Sequence, residues 1–326
     1  MKAVLIDKPG DETVLRIGEA EPPALVAGAL RIDVAATAVN RADLLQRQGL
    51  YPPPPGASPI LGLECAGVVA AVGAGVTGWK PGDRAMALLA GGGYAAQVVV
   101  DAGSAMHVPE RLSLEEAAAV PETFLTAYLN RFQLGGLASG GTALVHGGGS
   151  GVGTSAIQLI RAAAARALVT AGSPDKCERC RALGADVAID YRKESFAERV
   201  RAATDGRGVD VVLDSIGAPY FADNLASLAI GGRLVLIGLM GGAKVEANLA
   251  VLLGKRISVI GSTLRTRSAA EKAVIVDGFV ARFGADLAAG RIAPVVDAVL
   301  PLESVTEAHR KMKASTHFGK IVLSVG

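Results

Sequence analysis

Cysteine is scarce, with three residues in 326, and two of them, Cys177 and Cys180, fall in the single stretch KCERCR. An odd, small count cannot close a disulfide framework, so a reducing compartment fits and stability is expected from a packed core. No charge of one sign dominates. The 33 basic and 31 acidic side chains leave +2 with no long run of either, which argues against the basic stripe of a polyanion binder and against a membrane surface as partner. Nor is there an unbroken apolar stretch of the roughly 18 residues that a spanning helix takes. The opening MKAVLID reads as a first strand rather than a signal peptide. Internal repeats and low-complexity linkers are missing too. A soluble cytoplasmic protein that binds no nucleic acid and no membrane is the expectation.

What is present is core material. Half of the residues are hydrophobic, and the length exceeds what one core usually serves, so two domains are expected. Up to about residue 118, short apolar runs (KAVLID, GALRIDVAATAVN, ECAGVVAAVGAGV, DRAMAL, YAAQVVVDA) alternate with Gly and Pro punctuation, the texture of a mostly β unit. YPPPPG at 51–56 is a stiff, extended loop. From about Leu114 onward Ala-rich helical segments alternate with TALVHGG, RALVTAG, DVAIDY, DVVLDSIG, GRLVLIG and ISVIGS, the pattern of βαβ crossovers on a parallel sheet. EKAVIVDGFVARFGADLAAG reads as a long helix leaving that sheet, and the tail reads strand, helix, strand, returning to complete the β unit. The expected division is 1–118, 119–266 and 267–326.

The strongest local signal is TALVHGGGSGVGTSAIQLI at 142–160. An apolar strand runs into GGGSGVG and then into a helix, the setting of a dinucleotide fingerprint, although the spacing departs from strict G-x-G-x-x-G. Glycines there let the backbone turn tightly and approach a pyrophosphate, whose charge meets free amides at the helix start. The next strand ends in Gly172 and Ser173, without the acid that commonly binds ribose hydroxyls in NAD enzymes. The vacant tip leaves room for a 2′-phosphate, which Ser173, Lys176 and Tyr191 are placed to hold, so NADPH is the expected cofactor. Ser173, Pro174 and Asp175 also read as a helix cap and first turn, and Asp175 keeps NADH open.

GGGSGVG, VTAGS, LGAD, DSIG, GRLVLIG and FGKIVL, in this order behind a β-rich first third, resemble the medium-chain dehydrogenase/reductase superfamily. NRADLLQRQGLYPPPPG, ILGLECAG, MALLAGGGYA and GSTLRTR resemble, more narrowly, its zinc-free, zeta-crystallin-like NADPH quinone oxidoreductases, closest to the branch named for p53-inducible quinone reductases. The resemblance spans essentially the whole chain. It implies an α/β fold in which a discontinuous GroES-like β domain is built from both ends of the sequence around a Rossmann doubly wound parallel sheet. A homodimer or homotetramer is implied as well.

Zinc members of the superfamily place a cysteine ligand in the segment matching VNRAD and a histidine before the glutamate of the segment matching GLECAG. Here Asn40 and Leu63 stand at those places, and no cysteine-rich lobe follows GGGYAAQVVV. The four histidines, His107, His146, His309 and His317, are scattered without ligand spacing, so no zinc site of the usual N, O and S ligands is expected. By resemblance Glu64 is a structural carboxylate partnered by a nearby donor, and Cys65 is packing. Cys177 and Cys180 lie on a charged helix outside any thioredoxin-like setting, so an incidental pair is expected.

Without a metal, the fitting substrates are conjugated carbonyls. A quinone or enone spreads the incoming charge over an enolate or phenolate, so a few hydrogen-bond donors and a well-placed cofactor suffice. The resemblance implies that Asn40 and Tyr51 face the nicotinamide and are the candidate catalytic residues. Asn40 would orient substrate, and Tyr51 would donate a hydrogen bond or pack against the ring. The plain alternatives are that Asn40 caps the helix ADLLQRQ and that Tyr51 anchors the proline loop. Cofactor-side candidates are Thr126, Ser150, Gly151, Val152, Gly172, Ser173, Lys176 and Tyr191. The turn residues Gly238, Leu239 and Met240 and the residues Ser262, Leu264 and Arg265 complete the set, with Arg265 expected near phosphate or substrate or else as a solubilising side chain. The leading expectation is an NADPH-dependent quinone reductase. An enal or enone double-bond reductase, and a non-enzymatic crystallin-like or RNA-associated nucleotide binder, are the alternatives.

Overall fold

The computed structural model describes residues 1–326. In chain order the strands are β1 Lys2–Ile6, β2 Leu15–Glu19, β3 Ala29–Ala38, β4 Glu64–Val72, β5 Arg84–Leu88, β6 Gln97–Asp101, β7 Ala105–His107, β8 Thr142–Val145, β9 Arg166–Ala171, β10 Val187–Asp190, β11 Val209–Asp214, β12 Leu228–Leu236, β13 Ser258–Gly261, β14 Val296–Pro301 and β15 Lys320–Ser324. The helices are α1 Arg41–Arg47, α2 Leu114–Ala117, α3 Pro121–Tyr128, α4 Gly151–Ala162, α5 Pro174–Leu183, α6 Phe196–Ala203, α7 Phe221–Ser227, α8 Leu249–Lys255, α9 Ala269–Ala288 and α10 Val305–Ala314. The chain divides into a unit of Met1–Leu125 with Leu264–Gly326 and a unit of Thr126–Thr263.

The first unit carries a sheet in the order β14-β15-β3-β4-β5-β7, with β6 also on β3 and a β1-β2 hairpin beside it. The tail returns as the sequence pattern suggests: β15 pairs antiparallel with β3, Val322 opposite Ala38, and parallel with β14. Its core gathers Val4, Leu30, Ile32, Leu61, Tyr94, Val98, Leu302 and Ile321. Alternate residues of β3 (Leu30, Ile32, Val34) and of β15 (Ile321, Leu323) point into that core, and β15 is buried on both faces. Helix α9 belongs to this unit. Ser268 caps it, its hydroxyl accepting from Glu271 N while Glu271 accepts from Ser268 N. Its buried face, Lys272, Ile275, Val276, Phe279, Phe283 and Leu287, recurs at three- and four-residue steps.

The second unit is a parallel sheet, β10-β9-β8-β11-β12-β13. Consecutive strands step outward from β8 to β10, and the chain then crosses to β11 on the other side of β8 and steps outward again. The order therefore reverses between β8 and β11, the place where open parallel sheets bind ligands at their carboxyl ends. Leu144, Leu168, Ile189, Phe196, Val200, Val212, Leu225 and Leu234 form its core. None of the helices in either unit is long and apolar enough to cross a membrane.

Candidate active site

The glycine turn of the second unit is built around one hydroxyl. Ser150 caps α4, its Oγ accepting from Gly153 N at 3.0 Å and donating to Gly147 O at 2.7 Å. The first intrahelical bond runs from Thr154 N to Ser150 O, which leaves the amides of Gly151 and Val152 at the positive end of the helix for an anion. A Cβ on Gly153 would collide with the carbonyl oxygens of Gly147 and Gly148, so the turn closes only on glycine. Cys180 has a use here. Its sulfur packs against Gly148, only 3.0 Å from where a Cβ there would stand, and burial pushes its thiol up to about 12. Cys177 is also buried, with its thiol pushed up by burial, so both are packing groups rather than thiolates.

At the tip of β9, Ser173 caps α5 by accepting from Lys176 N at 3.3 Å, with Pro174 in the first turn. Tyr191, following β10, brings its hydroxyl within 2.7 Å of where a Gly172 Cβ would be. The phenol therefore lies over the backbone of Gly172, where the acid of an NAD enzyme would project. After β12, the Gly238–Leu239–Met240 turn folds back on the end of β11, with Met240 N donating to Ser215 O at 3.1 Å. The side chains of Leu239 and Met240 are exposed. Ser262 follows β13 with its Oγ buried and unpartnered. Thr126 is buried in α3 and its carbonyl accepts from Asn130 Nδ2. Ser150, Gly151, Val152, Gly172, Ser173, Lys176, Tyr191, Gly238, Leu239, Met240 and Ser262 thus share the carboxyl edge of one sheet.

Leu264 and Arg265 belong to the first unit. The Arg265 guanidinium donates to Ala90 O at 2.8 Å, to Tyr51 O at 3.2 Å and to Gln46 Oε1 at 2.6 Å. It also lies 5.1 Å above the Tyr51 ring. Three neutral acceptors and an aromatic face hold it. In this way Arg265 pins the start of the proline loop through the Tyr51 carbonyl and ring, and none of its hydrogen bonds uses the Tyr51 hydroxyl.

The segment around Glu64 resolves into a buried ion cluster. Lys320, in β15, extends its ammonium onto Glu64 Oε1 at 2.7 Å, Asn40 Oδ1 at 2.7 Å and Val39 O at 2.9 Å. Asn40 Nδ2 donates to the same Glu64 oxygen at 2.9 Å and to Ala38 O at 3.1 Å. Glu64 Oε2 accepts from Glu122 N at 2.8 Å. Lys320 and Glu64 side chains are 4% and 0% exposed. All three ammonium donors have acceptors, which is what lets a buried pair persist. Asn40 stands at the N-cap of α1, yet its side chain ties β3 to β4 and β15 while its backbone N donates to Asp43 at 2.7 Å.

From Asp43 a second chain runs inward. Tyr94 donates to Asp43 Oδ2 at 3.0 Å and meets His309 Nε2 at 3.2 Å, and His309 Nδ1 meets Arg47 at 3.2 Å. Arginine only donates, so Nδ1 accepts, Nε2 carries the proton toward Tyr94 Oη, and the tyrosine hydrogen is left for Asp43. The ring is neutral: burial, with the Arg47 charge, lowers its pKa to about 3. Burial raises Asp43 to about 6, against the hydrogen bonds it accepts.

The residues at this place do not fit a zinc ligand set. No group of three or more His, Cys, Asp or Glu side chains is gathered for a metal, and the Lys320 ammonium already sits on the carboxylate and amide of the seat. The alcohol dehydrogenase GroES-like domain family matches residues 26–110 and the zinc-binding dehydrogenase family matches residues 151–276. The human synaptic vesicle membrane protein VAT-1 homolog is 33% identical over 97% of this chain and 84% of its own length. The phthioceranic/hydroxyphthioceranic acid synthase of Mycobacterium bovis is 35% identical over 98% of this chain but 15% of that protein. Among solved structures, the Escherichia coli quinone oxidoreductase complexed with NADPH superposes with a TM-score of 0.87 at 29% identity, covering 100% of both chains. The CurK enoyl reductase gives 0.88 at 29% identity, covering 100% of this chain and 99% of that one. The chain belongs to the medium-chain dehydrogenase/reductase superfamily and is an oxidoreductase of that family.

Lys320, Asp43, Tyr94, His309 and Glu122 are absent from the sequence-derived site. A signal existed for Lys320: a lysine opening the apolar strand KIVLS invites a buried partner. Nothing local marks the others.

Proposed function

We propose that the protein is an NADPH-dependent, zinc-independent reductase of quinones or related conjugated carbonyls. The observation that carries this reading is the Lys320 ammonium held by Glu64, Asn40 and Val39. With an intrinsic cation there and no ligand set for a metal, an isolated carbonyl lacks its Lewis acid, and a conjugated acceptor that delocalises its own charge is the fitting substrate. The likeness to the quinone oxidoreductases supports the acceptor class. Bound NADPH supplies the hydride. The chain's own residues do the rest: Tyr51 donates toward the carbonyl oxygen, Thr126 holds the nicotinamide end, and the Gly151 and Val152 amides receive the pyrophosphate. Ser173, Lys176 and Tyr191 take the 2′-phosphate beside the bare tip at Gly172. Asn40 acts through the seat it braces, since both of its amide donors are engaged.

The test is NADPH oxidation followed at 340 nm in the presence of simple quinones and of α,β-unsaturated aldehydes, with NADH in parallel and with a chelator present. Quinone turnover with NADPH, indifferent to the chelator, is expected. Turnover of enals and not quinones would favour double-bond reduction, the reading the CurK likeness supports. Binding of NADPH without either turnover would sink the enzymatic reading. For cofactor choice, Gly172→Asp alone meets the Tyr191 hydroxyl, so Gly172→Asp with Tyr191→Ala is the informative pair. A preference for NADPH that collapses in the double variant is expected, and an unchanged one overturns the 2′-phosphate assignment.

A further inference from the structure

One buried lysine in the first unit has no partner. Lys272, in the first turn of α9, is 7% exposed, and no hydrogen bond or ion pair engages its ammonium. Lys320, 3% exposed, has every donor satisfied. Lys272 instead lines a crevice of 530 Å³ whose walls include Leu5, Ile60, Leu88, Leu89, Val98 and Val100.

The surroundings leave its charge uncompensated. Burial lowers the Lys272 pKa, Glu122 opposes that, and the Arg265 charge adds to it. Arg265 is itself 3% exposed and bonded only to neutral acceptors. Glu122 is the carboxyl that acts on both, and it favours its protonated form: burial, then the adjacent Glu64, pushes it up to about 8. One of its oxygens is buried without a hydrogen bond. The acidic residues of the crevice, Glu21 and Asp101, are exposed, and Asp101 accepts from Gly103 N at 3.0 Å. The one other cation of the lining, the Met1 ammonium, is held by Glu19 at 3.0 Å and Ala20 O at 2.7 Å. A buried, unpaired cation carries a desolvation cost that a counter-ion arriving from outside would offset.

We infer that this crevice binds an amphipathic monoanion, an apolar body bearing one carboxylate, with Lys272 fixing the head group and the aliphatic walls taking the tail. The apolar walls set the body and the single free ammonium sets the charge. This inference stands apart from the reductase reading, because such binding needs neither cofactor nor turnover.

Isothermal titration calorimetry on the full chain tests it with octanoate, 1-octanol and octylammonium as probes. Octanoate is expected to bind saturably and octylammonium not to. Lys272→Met should weaken octanoate at least tenfold, about 1.4 kcal/mol, leave 1-octanol unchanged, and be rescued by Lys272→Arg. Ile60→Trp, which narrows the crevice, should weaken octanoate and 1-octanol together. Circular dichroism checks each variant, and Lys272→Gln replaces Lys272→Met if the latter does not fold. No saturable octanoate binding, equal binding in the neutral Lys272 variants, octylammonium binding as tight as octanoate, or indifference to Ile60→Trp each overturns the assignment.

Discussion

Glu64 and Lys320 set the energetics of the first unit at the scale of single residues. Removing one partner of a fully buried, hydrogen-bonded pair strands the other, at a cost of about 3–5 kcal/mol. Lys320→Met is therefore expected to lower the thermal midpoint sharply, and Glu64→Gln with Lys320→Met to recover part of the loss in a double-mutant cycle; strict additivity would contradict a coupled pair. His309 gives a prediction in pH. The unfolded ring titrates near 6.5 and the folded one near 3, so its contribution is complete above pH 6.5 and is lost as the pH falls from there toward 3, by up to ~1.4 kcal/mol per unit. Asp43 has the opposite sign. Its carboxyl is raised from 3.8 to about 6, so its contribution is present below 3.8 and lost as the pH rises through 6. Thermal midpoints between pH 7 and 5 should fall less steeply in His309→Gln than in the unaltered protein, and parallel curves would remove His309 from the account. Glu64 and Leu63 show how much of this was legible. GLECAG identifies a carboxylate in need of a donor and a ligand position filled by leucine, but the donor arrives 256 residues later, and no spacing argument reaches that far.

Among the elements, the Ser173 cap and the strand ends were the parts read from the sequence, and the structure adds two caps of the same kind. Ser150, Ser173 and Ser268 each precede a helix and each cap it, because a hydroxyl in that position satisfies an otherwise orphaned amide. The returning tail was readable from strand-helix-strand patterning. GSTLRTR was less so: it follows the last Rossmann strand, yet Arg265 reaches three acceptors of the first unit, one on α1 and two on loops, a tertiary choice invisible in the motif. The glycine turn predicts its own fragility. Gly153→Ala should abolish NADPH binding while the far-ultraviolet spectrum stays largely native, and retained affinity would show that the turn can relax. Just after α3, residues Leu129–Gln133 form a single π-helical turn, which no pattern announced. Its Arg131 is fully buried with no partner on any guanidinium nitrogen, and burial lowers its pKa to about 9. Replacing such a group by an apolar one of similar length removes a desolvation cost, so Arg131→Met is expected to stabilise by about 1–3 kcal/mol. A lower midpoint would mean that the guanidinium has a use in the intact protein.

For the whole molecule, the open question in the second unit is its sheet edge. β13 pairs only with β12, and Val259 on it is exposed, as are Leu249 and Leu253 on α8. An uncovered edge beside apolar side chains is a template for another strand. A homodimer is expected by light scattering, and Val259→Lys is expected to shift it toward monomer; a monomer at all concentrations would reject this use of the edge.

The Lys320 bond has a further meaning in time. Between Glu64 and the lysine that balances it, the chain must pass through the whole of the unit Thr126–Thr263. During synthesis that middle unit, contiguous in sequence, is free to fold while the first still holds an unbalanced acid. Closing the ion cluster is then a late event that reports the arrival of β15. The Glu64–Lys320 pair is in that sense a latch, shut by the protein's own distant strand once everything between has been made.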